Sequence, residues 1–113
     1  MNETPVLDKE AMRASAEAAC ALMKALSNPD RLLLLCELAE GECNVGELQE
    51  RVGVQQPTLS QQLAVLREEN LVETRRDGKN IFYSIASPQA LAVLHVLYAQ
   101  FCAVPGKTKR SRK

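Results

Sequence analysis

Apolar positions along the chain recur at helical spacing up to about residue 70, and again from 88 to 102. Between them, 71–85 reads as two short strands. Residues 8–26 are rich in alanine, leucine and methionine, hold no Gly or Pro, and predict a first helix. Ser27-Asn28-Pro29 interrupts it. Asn28 can cap a second helix, and Pro29 can take its first position, where a missing N–H is harmless. That helix spans roughly 29–40 and stops at Gly41. Its four consecutive leucines and Cys36 leave little polar surface, which predicts a central place in the core.

Val45, Leu48 and Val52, spaced three and four apart, predict a third helix over 45–52. Gly53 supplies a tight turn because it tolerates positive φ, and Val54 plugs the core beneath it. A fourth helix opens near Gln56, with Pro57 at its first position, and runs to about Asn70 on an inward stripe of Leu59, Leu63 and Leu66. Leu71–Arg75 and Asn80–Ile85 read as strands around Asp77-Gly78, a hairpin turn signal. Ser87-Pro88 starts a fifth helix that reaches about Cys102, before Pro105-Gly106. The order predicts a mainly α chain with a small β-hairpin (α+β): a winged helix-turn-helix of five helices and a two-stranded wing. The same order predicts one domain over residues 1–106 and a basic disordered tail over 107–113.

A helix that reads base edges needs a bonded underside and an outer face of short polar groups. Gln pairs bidentately with adenine, and Ser or Thr bonds to several edges or to phosphates. Gln56, Thr58, Ser60, Gln61 and Gln62 meet this need on the fourth helix. Arg75, Arg76 and Lys79 of the wing fit phosphate or minor-groove contact. Polar residues on a lone helix usually mean only a solvated face. Here the preceding helix, the glycine turn and the basic hairpin make a DNA-reading face the better account. One such unit has a small footprint, which two-fold dimers enlarge by reading two half-sites. The first and fifth helices flank the unit and carry apolar stripes, in the fifth Leu91, His95, Tyr98 and Cys102 with Leu94, Leu97 and Phe101. They are the expected homodimer interface, so 1–106 is expected to serve both DNA binding and dimerisation.

Charge narrows where DNA can be touched. The formal net charge of the 113 residues is zero, yet residues 107–113, KTKRSRK, hold five of the 14 basic residues. Residues 1–106 therefore carry nine basic against 14 acidic residues, a net −5. An acidic body disfavours unspecific polyanion binding, so contact must be local, through the wing; the tail either joins it or is only a disordered, solubilising end. Apolar content of 46% and charged content of 25% are those of an ordinary globular chain. No apolar run approaches the ~20 residues of a membrane helix, and the polar start MNETPVLDKE is not a secretory signal. A cytoplasmic location is expected. There the four cysteines are reactive, metal-binding or core thiols rather than structural disulfides.

The segments LMKALSNPDRLLLLCELAEGE (22–42) and VGELQERVGVQQPTLSQQLAVLREENLVETRRDGKNIFYSI (45–85) resemble the ArsR/SmtB family of winged-helix repressors, over about residues 10–103. The resemblance implies a dimer that releases operator DNA when an inducer binds. The family often carries His where Gln61 stands, a change that keeps a hydrogen-bonding side chain. Its arsenic sensors carry Cys-x-Cys in the first helix of the DNA unit, where this chain has only Cys43. Its zinc sensors carry Asp/His and His/Glu ligands on the last helix, where this chain offers only His95 and no acid over 87–102. Both metal patterns are broken and no metal or other cofactor is expected. A soft-metal site drawing on Cys20, Cys36, Cys43, Cys102 or His95 stays open as the alternative.

The placement of Cys36 after LLLL and of Cys102 at the end of the fifth helix, 66 residues on, resembles the persulfide-responsive BigR/SqrR/HlyU branch. The resemblance implies that Cys36 and Cys102 are sensing thiols bridged by reactive sulfur species, with Cys20 and Cys43 not required. By themselves the residues leave plainer roles open: Cys36 and Cys20 as packing groups, Cys43 as an exposed spectator, His95 as an interface residue. A bridge with extra sulfur spans farther than a disulfide, whose Cα atoms must lie within about 7 Å. A third reading makes the winged helix a protein-interaction module. It leaves the basic wing and the polar helix face without purpose. An enzyme is not expected, since one His and no phosphate-binding Gly loop offer no catalytic constellation.

Overall fold

The computed structural model describes residues 8–102. The expected basic tail at 107–113 and the domain limit at 106 lie outside the described residues. Five helices and three strands follow in the order α1 (Lys9–Leu26), α2 (Pro29–Ala39), β1 (Cys43–Asn44), α3 (Val45–Val52), α4 (Thr58–Glu68), β2 (Val72–Asp77), β3 (Asn80–Ile85) and α5 (Pro88–Phe101). The winged helix-turn-helix expected from the sequence is present.

The local signals explain the boundaries. Asn28 Oδ1 accepts from Arg31 N at 3.0 Å with Pro29 at the first position of α2, and Ser87 Oγ likewise accepts from Ala90 N at 3.0 Å at the start of α5. A reciprocal capping box opens α3: Asn44 Oδ1 accepts from Glu47 N, and Glu47 Oε1 accepts from Asn44 N. Gly53 closes it at φ +82°, as the turn requires. Asn70 stops α4 at φ +62°, with Leu71 N donating to Leu66 O and Asn70 N to Arg67 O. That pair of bonds is the Schellman arrangement with asparagine in the left-handed position.

Three expectations change. The sheet has three strands, not two, in the order β1-β3-β2, because Cys43 and Asn44 pair antiparallel with Tyr83 and Phe82. A two-residue strand has no periodicity to read. The wing hairpin is longer, with β2 reaching Asp77 opposite Asn80, so Gly78 and Lys79 form the turn. Pro57 precedes α4 instead of opening it, and Thr58 is the first helical residue.

The core gathers Leu34, Leu35 and Leu38 of α2, Leu48 of α3, Leu59, Leu63 and Leu66 of α4, Leu71 and Val72 at the wing base, and Ala90 and Leu94 of α5. The α2 leucines are central as expected, except that Leu33 faces outward at 51% exposure. Val54 is buried beneath the Gly53 turn. In contrast, α1 is exposed from Lys9 to Ala21 and packs on α2 only near its end. Met12 and Met23 of α1 and Val96, Tyr98 and Phe101 of α5 are exposed large apolar groups. No helix of the described residues is long and apolar enough to cross a membrane.

Candidate DNA-reading face and cysteine pair

The underside of α4 is fixed by Leu59, Leu63 and Leu66, each no more than 2% exposed. Its outer residues do not all serve alike. Ser60 and Gln61 are exposed, and Thr58 and Gln62 are half-buried. Gln61 makes no side-chain hydrogen bond among the described residues. Gln56 Oε1 accepts from both Ser60 N (3.1 Å) and Ser60 Oγ (2.7 Å). It thereby satisfies an orphan donor at a helix start where Pro57 offers no side-chain cap. Gln62 Oε1 accepts from Arg31 Nη1 of α2 at 2.8 Å. Gln56, Ser60 and Gln62 therefore have intramolecular partners, while Gln61 presents its whole amide outward.

The three wing cations also differ. Arg75 forms a bidentate pair with Glu42, Nε to Oε2 at 2.9 Å and Nη2 to Oε1 at 2.8 Å, and its guanidinium lies 4.7 Å from the Phe82 ring centre. Asp77 stands 3.8 Å from it on the other side. The hydrogen bonds from Arg75 hold the Glu42 carboxyl below its ordinary pKa. Arg75 is thus engaged within the wing, not held free for phosphate. Arg76 and Lys79 are exposed and have no ion pair among the described residues.

The four cysteines are unbridged. Cys36 is half-buried on α2 and shares an open groove with Leu33, Glu37, Glu40, Arg51, Val52 and Tyr98. Cys102 is exposed at the C-cap of α5, one turn beyond Tyr98, to whose carbonyl its N–H donates at 2.8 Å. Burial raises the Cys36 thiol above its ordinary pKa, and the proximity of Cys102 raises it further. α5 packs against α2 with Tyr98 in the groove beside Cys36, and Cys102 lies one turn farther along α5. Cys20 is exposed on α1. Cys43 corrects the expectation of an exposed spectator: it is 1% exposed, since β1 turns its side chain into the core. Arg51 Nη1 reaches Cys43 Sγ at 3.4 Å while pairing with Glu37, yet burial outweighs this cation and holds the Cys43 pKa up. His95 is exposed on α5. No three His, Cys, Asp or Glu side chains converge among the described residues.

Sequence reasoning did not single out Arg31, Glu42, Arg51 or Phe82. The signal for Arg31, its place just after the Asn-Pro cap, was visible, but its partner 31 residues away was not.

Comparison with known proteins agrees with this architecture. Residues 28–74 match the family described as "Bacterial regulatory protein, arsR family". The biofilm growth-associated repressor of Xylella fastidiosa (strain Temecula1) is 48% identical over 101 residues, covering 89% of each chain. The transcriptional activator HlyU of Vibrio cholerae is 36% identical over 85% of this chain and 89% of its own. The crystal structure of the repressor BigR from Xylella fastidiosa superposes with a TM-score of 0.79 at 49% identity, over 87% of this chain and 100% of that one. These relatives are regulators, in keeping with the expectation that the chain is not an enzyme. On the strength of this identity, spread over nearly the whole of both sequences, the chain belongs to the arsR family of bacterial regulatory proteins, in the branch that holds BigR and HlyU.

Proposed function

We propose that this chain is a homodimeric, DNA-binding transcriptional repressor whose operator affinity falls when reactive sulfur bridges Cys36 and Cys102. The observation that supports the reading is the packing of α5 against α2, with Tyr98 in the open groove beside Cys36 and the exposed Cys102 one turn farther along α5. DNA reading falls first to Gln61 on α4, supported by Gln56, Thr58, Ser60 and Gln62, with Arg76 and Lys79 on phosphate. Arg75 shapes the wing through Glu42. The exposed apolar groups of α1 and α5 supply the dimer interface. Repression, rather than activation, follows the higher identity to the Xylella repressor than to HlyU.

The sulfur chemistry balances without an added oxidant. Exposed Cys102 attacks the sulfane sulfur of a low-molecular-weight persulfide, becomes Cys102–S–SH, and releases the carrier as its thiol. A second donor does the same at Cys36. One persulfide then displaces hydrosulfide from the other and closes a trisulfide. Joining α2 to α5 ties the support of α4 to the dimer helices, and a coupling of about 1–3 kcal/mol would lower DNA affinity roughly 5- to 150-fold.

The test is intact mass and peptide mapping after separate exposure to glutathione persulfide, hydrogen peroxide, zinc and arsenite. It is paired with anisotropy on a duplex that the wild-type protein enriches from random-sequence DNA. A Cys36–Cys102 crosslink with extra sulfur, formed with persulfide and releasing the duplex, is expected; Cys36→Ser and Cys102→Ser bind the duplex and ignore persulfide. Stoichiometric metal retained without any crosslink would replace this reading with the soft-metal sensor.

A further inference from the structure

We infer that Arg31 is a positioning residue for DNA reading, and that Gln62 acts as the catch it holds rather than as a base reader. The inference deepens the DNA-binding reading above and rests on it. Arg31 sits in the first turn of α2, its own N–H bonded to Asn28 Oδ1 at 3.0 Å. From there its guanidinium reaches two other helices at once. Nε donates to Ala25 O at 2.6 Å and Nη2 to Lys24 O at 3.3 Å, both in the last turn of α1. Nη1 donates to Gln62 Oε1 at 2.8 Å, on α4.

Lys24 O already accepts from Ser27 N at 3.2 Å and Ser27 Oγ at 2.8 Å, but the Ala25 carbonyl in the last turn of α1 has Arg31 as its partner, and Ala25 is only 4% exposed, so water does little there. A planar fork with several fixed N–H directions can reach both carbonyls and still hold a third acceptor. A lysine ammonium lacks that geometry. With its carbonyl oxygen engaged, half-buried Gln62 loses the acceptor half of a bidentate adenine pair. What it gains is control of α4: Gln62 precedes Leu63 and follows exposed Gln61, so holding it fixes how the helix is turned about its axis. Arg31 thereby joins the end of α1, an expected dimer helix, to the reading helix by direct hydrogen bonds.

The test uses the full chain and the same enriched duplex, with a panel of its single-base-pair variants. Gln62→Met removes the acceptor at nearly constant shape and leaves the α1 carbonyls bonded, so the protein folds even if Arg31→Ala does not. Arg31→Lys keeps the charge and loses the fork. Each is expected to weaken binding by at least about tenfold, since one hydrogen bond to a charged group is lost in each protomer of the dimer, and equally across the panel. Arg31→Lys combined with Gln62→Met should cost no more than the larger single loss. Without DNA, the Gln62 side-chain amide resonance should move in Arg31→Lys, and the Arg31 Nε–H resonance should persist in Gln62→Met. A Gln62→Met loss confined to one base pair, or single losses that multiply in the double variant, would overturn the inference and return Gln62 to base reading. Failure of the wild-type protein to enrich any duplex would instead overturn the DNA-binding reading, and the inference with it.

Discussion

The wing offers a prediction whose magnitude follows from its ion pairs. Arg75 is matched by Glu42 within 2.9 Å, so the two together bring no net charge to DNA. Arg76 and Lys79 are unmatched among the described residues. Each phosphate neutralised on duplex DNA contributes about 0.9 to the slope of log affinity against log salt. A dimer carries two wings, so Lys79→Ala should reduce the slope by about 1.8. Between about 50 and 200 mM salt, log concentration rises by about 0.6, so the affinity gap between wild type and variant should narrow by about tenfold. The control is Arg75→Ala combined with Glu42→Ala, which removes equal and opposite charges and should leave the slope unchanged. Removing Arg75 alone would leave Glu42 to repel phosphate and would confuse the comparison. Anisotropy titrations of a labelled duplex over that salt range measure all three slopes. A slope reduced as far by the double change as by Lys79→Ala would show that Arg75 leaves Glu42 for phosphate, and the argument from pairing would fail.

Further expectations concern the cysteines and the caps. Because burial, the larger cause, raises the Cys36 pKa, its thiolate is scarce at neutral pH. The alkylation rate of Cys36 in a Cys102→Ser background should therefore climb as pH rises and pass its midpoint above that of a free thiol; a plateau near pH 7 would contradict this. Cys43, 1% exposed, should resist alkylation until the protein unfolds. Cys43→Ser should leave DNA binding intact but cost about 1–2 kcal/mol, since a hydroxyl is costlier to bury than a thiol and its shorter bond draws it back from Gly41 O and Arg51 Nη1; Cys43 labelling as fast as that of Cys20 would refute the placement. Asn44→Ala opens the capping box of α3 and should cost about 1 kcal/mol, lowering Tm by about 4–8 °C in a domain of this size. An unchanged melt would mean that the β1 pairing, not the cap, holds that helix start.

What the sequence determined by itself was whatever neighbouring residues decide. Asn28-Pro29 and Ser87-Pro88 start their helices, Gly53 turns the chain at φ +82°, and leucines at helical spacing form the underside of α4. Such signals act within a few residues and are legible wherever they occur. The polar face of α4 was legible as a face, but the roles within it were not. Whether a glutamine reads outward or bonds inward depends on a partner brought close by folding: Arg31 for Gln62, 31 residues away, and Glu42 for Arg75, 33 residues away. The same holds for Cys43, which sequence placed in a connection and tertiary pairing with Tyr83 placed in the core. Cys36 and Cys102 came into view through family resemblance, since no local pattern relates two thiols on helices so far apart. Only the packing of α5 against α2 relates the two positions in space, because proximity between distant segments is a property of the closed core and not of either segment alone.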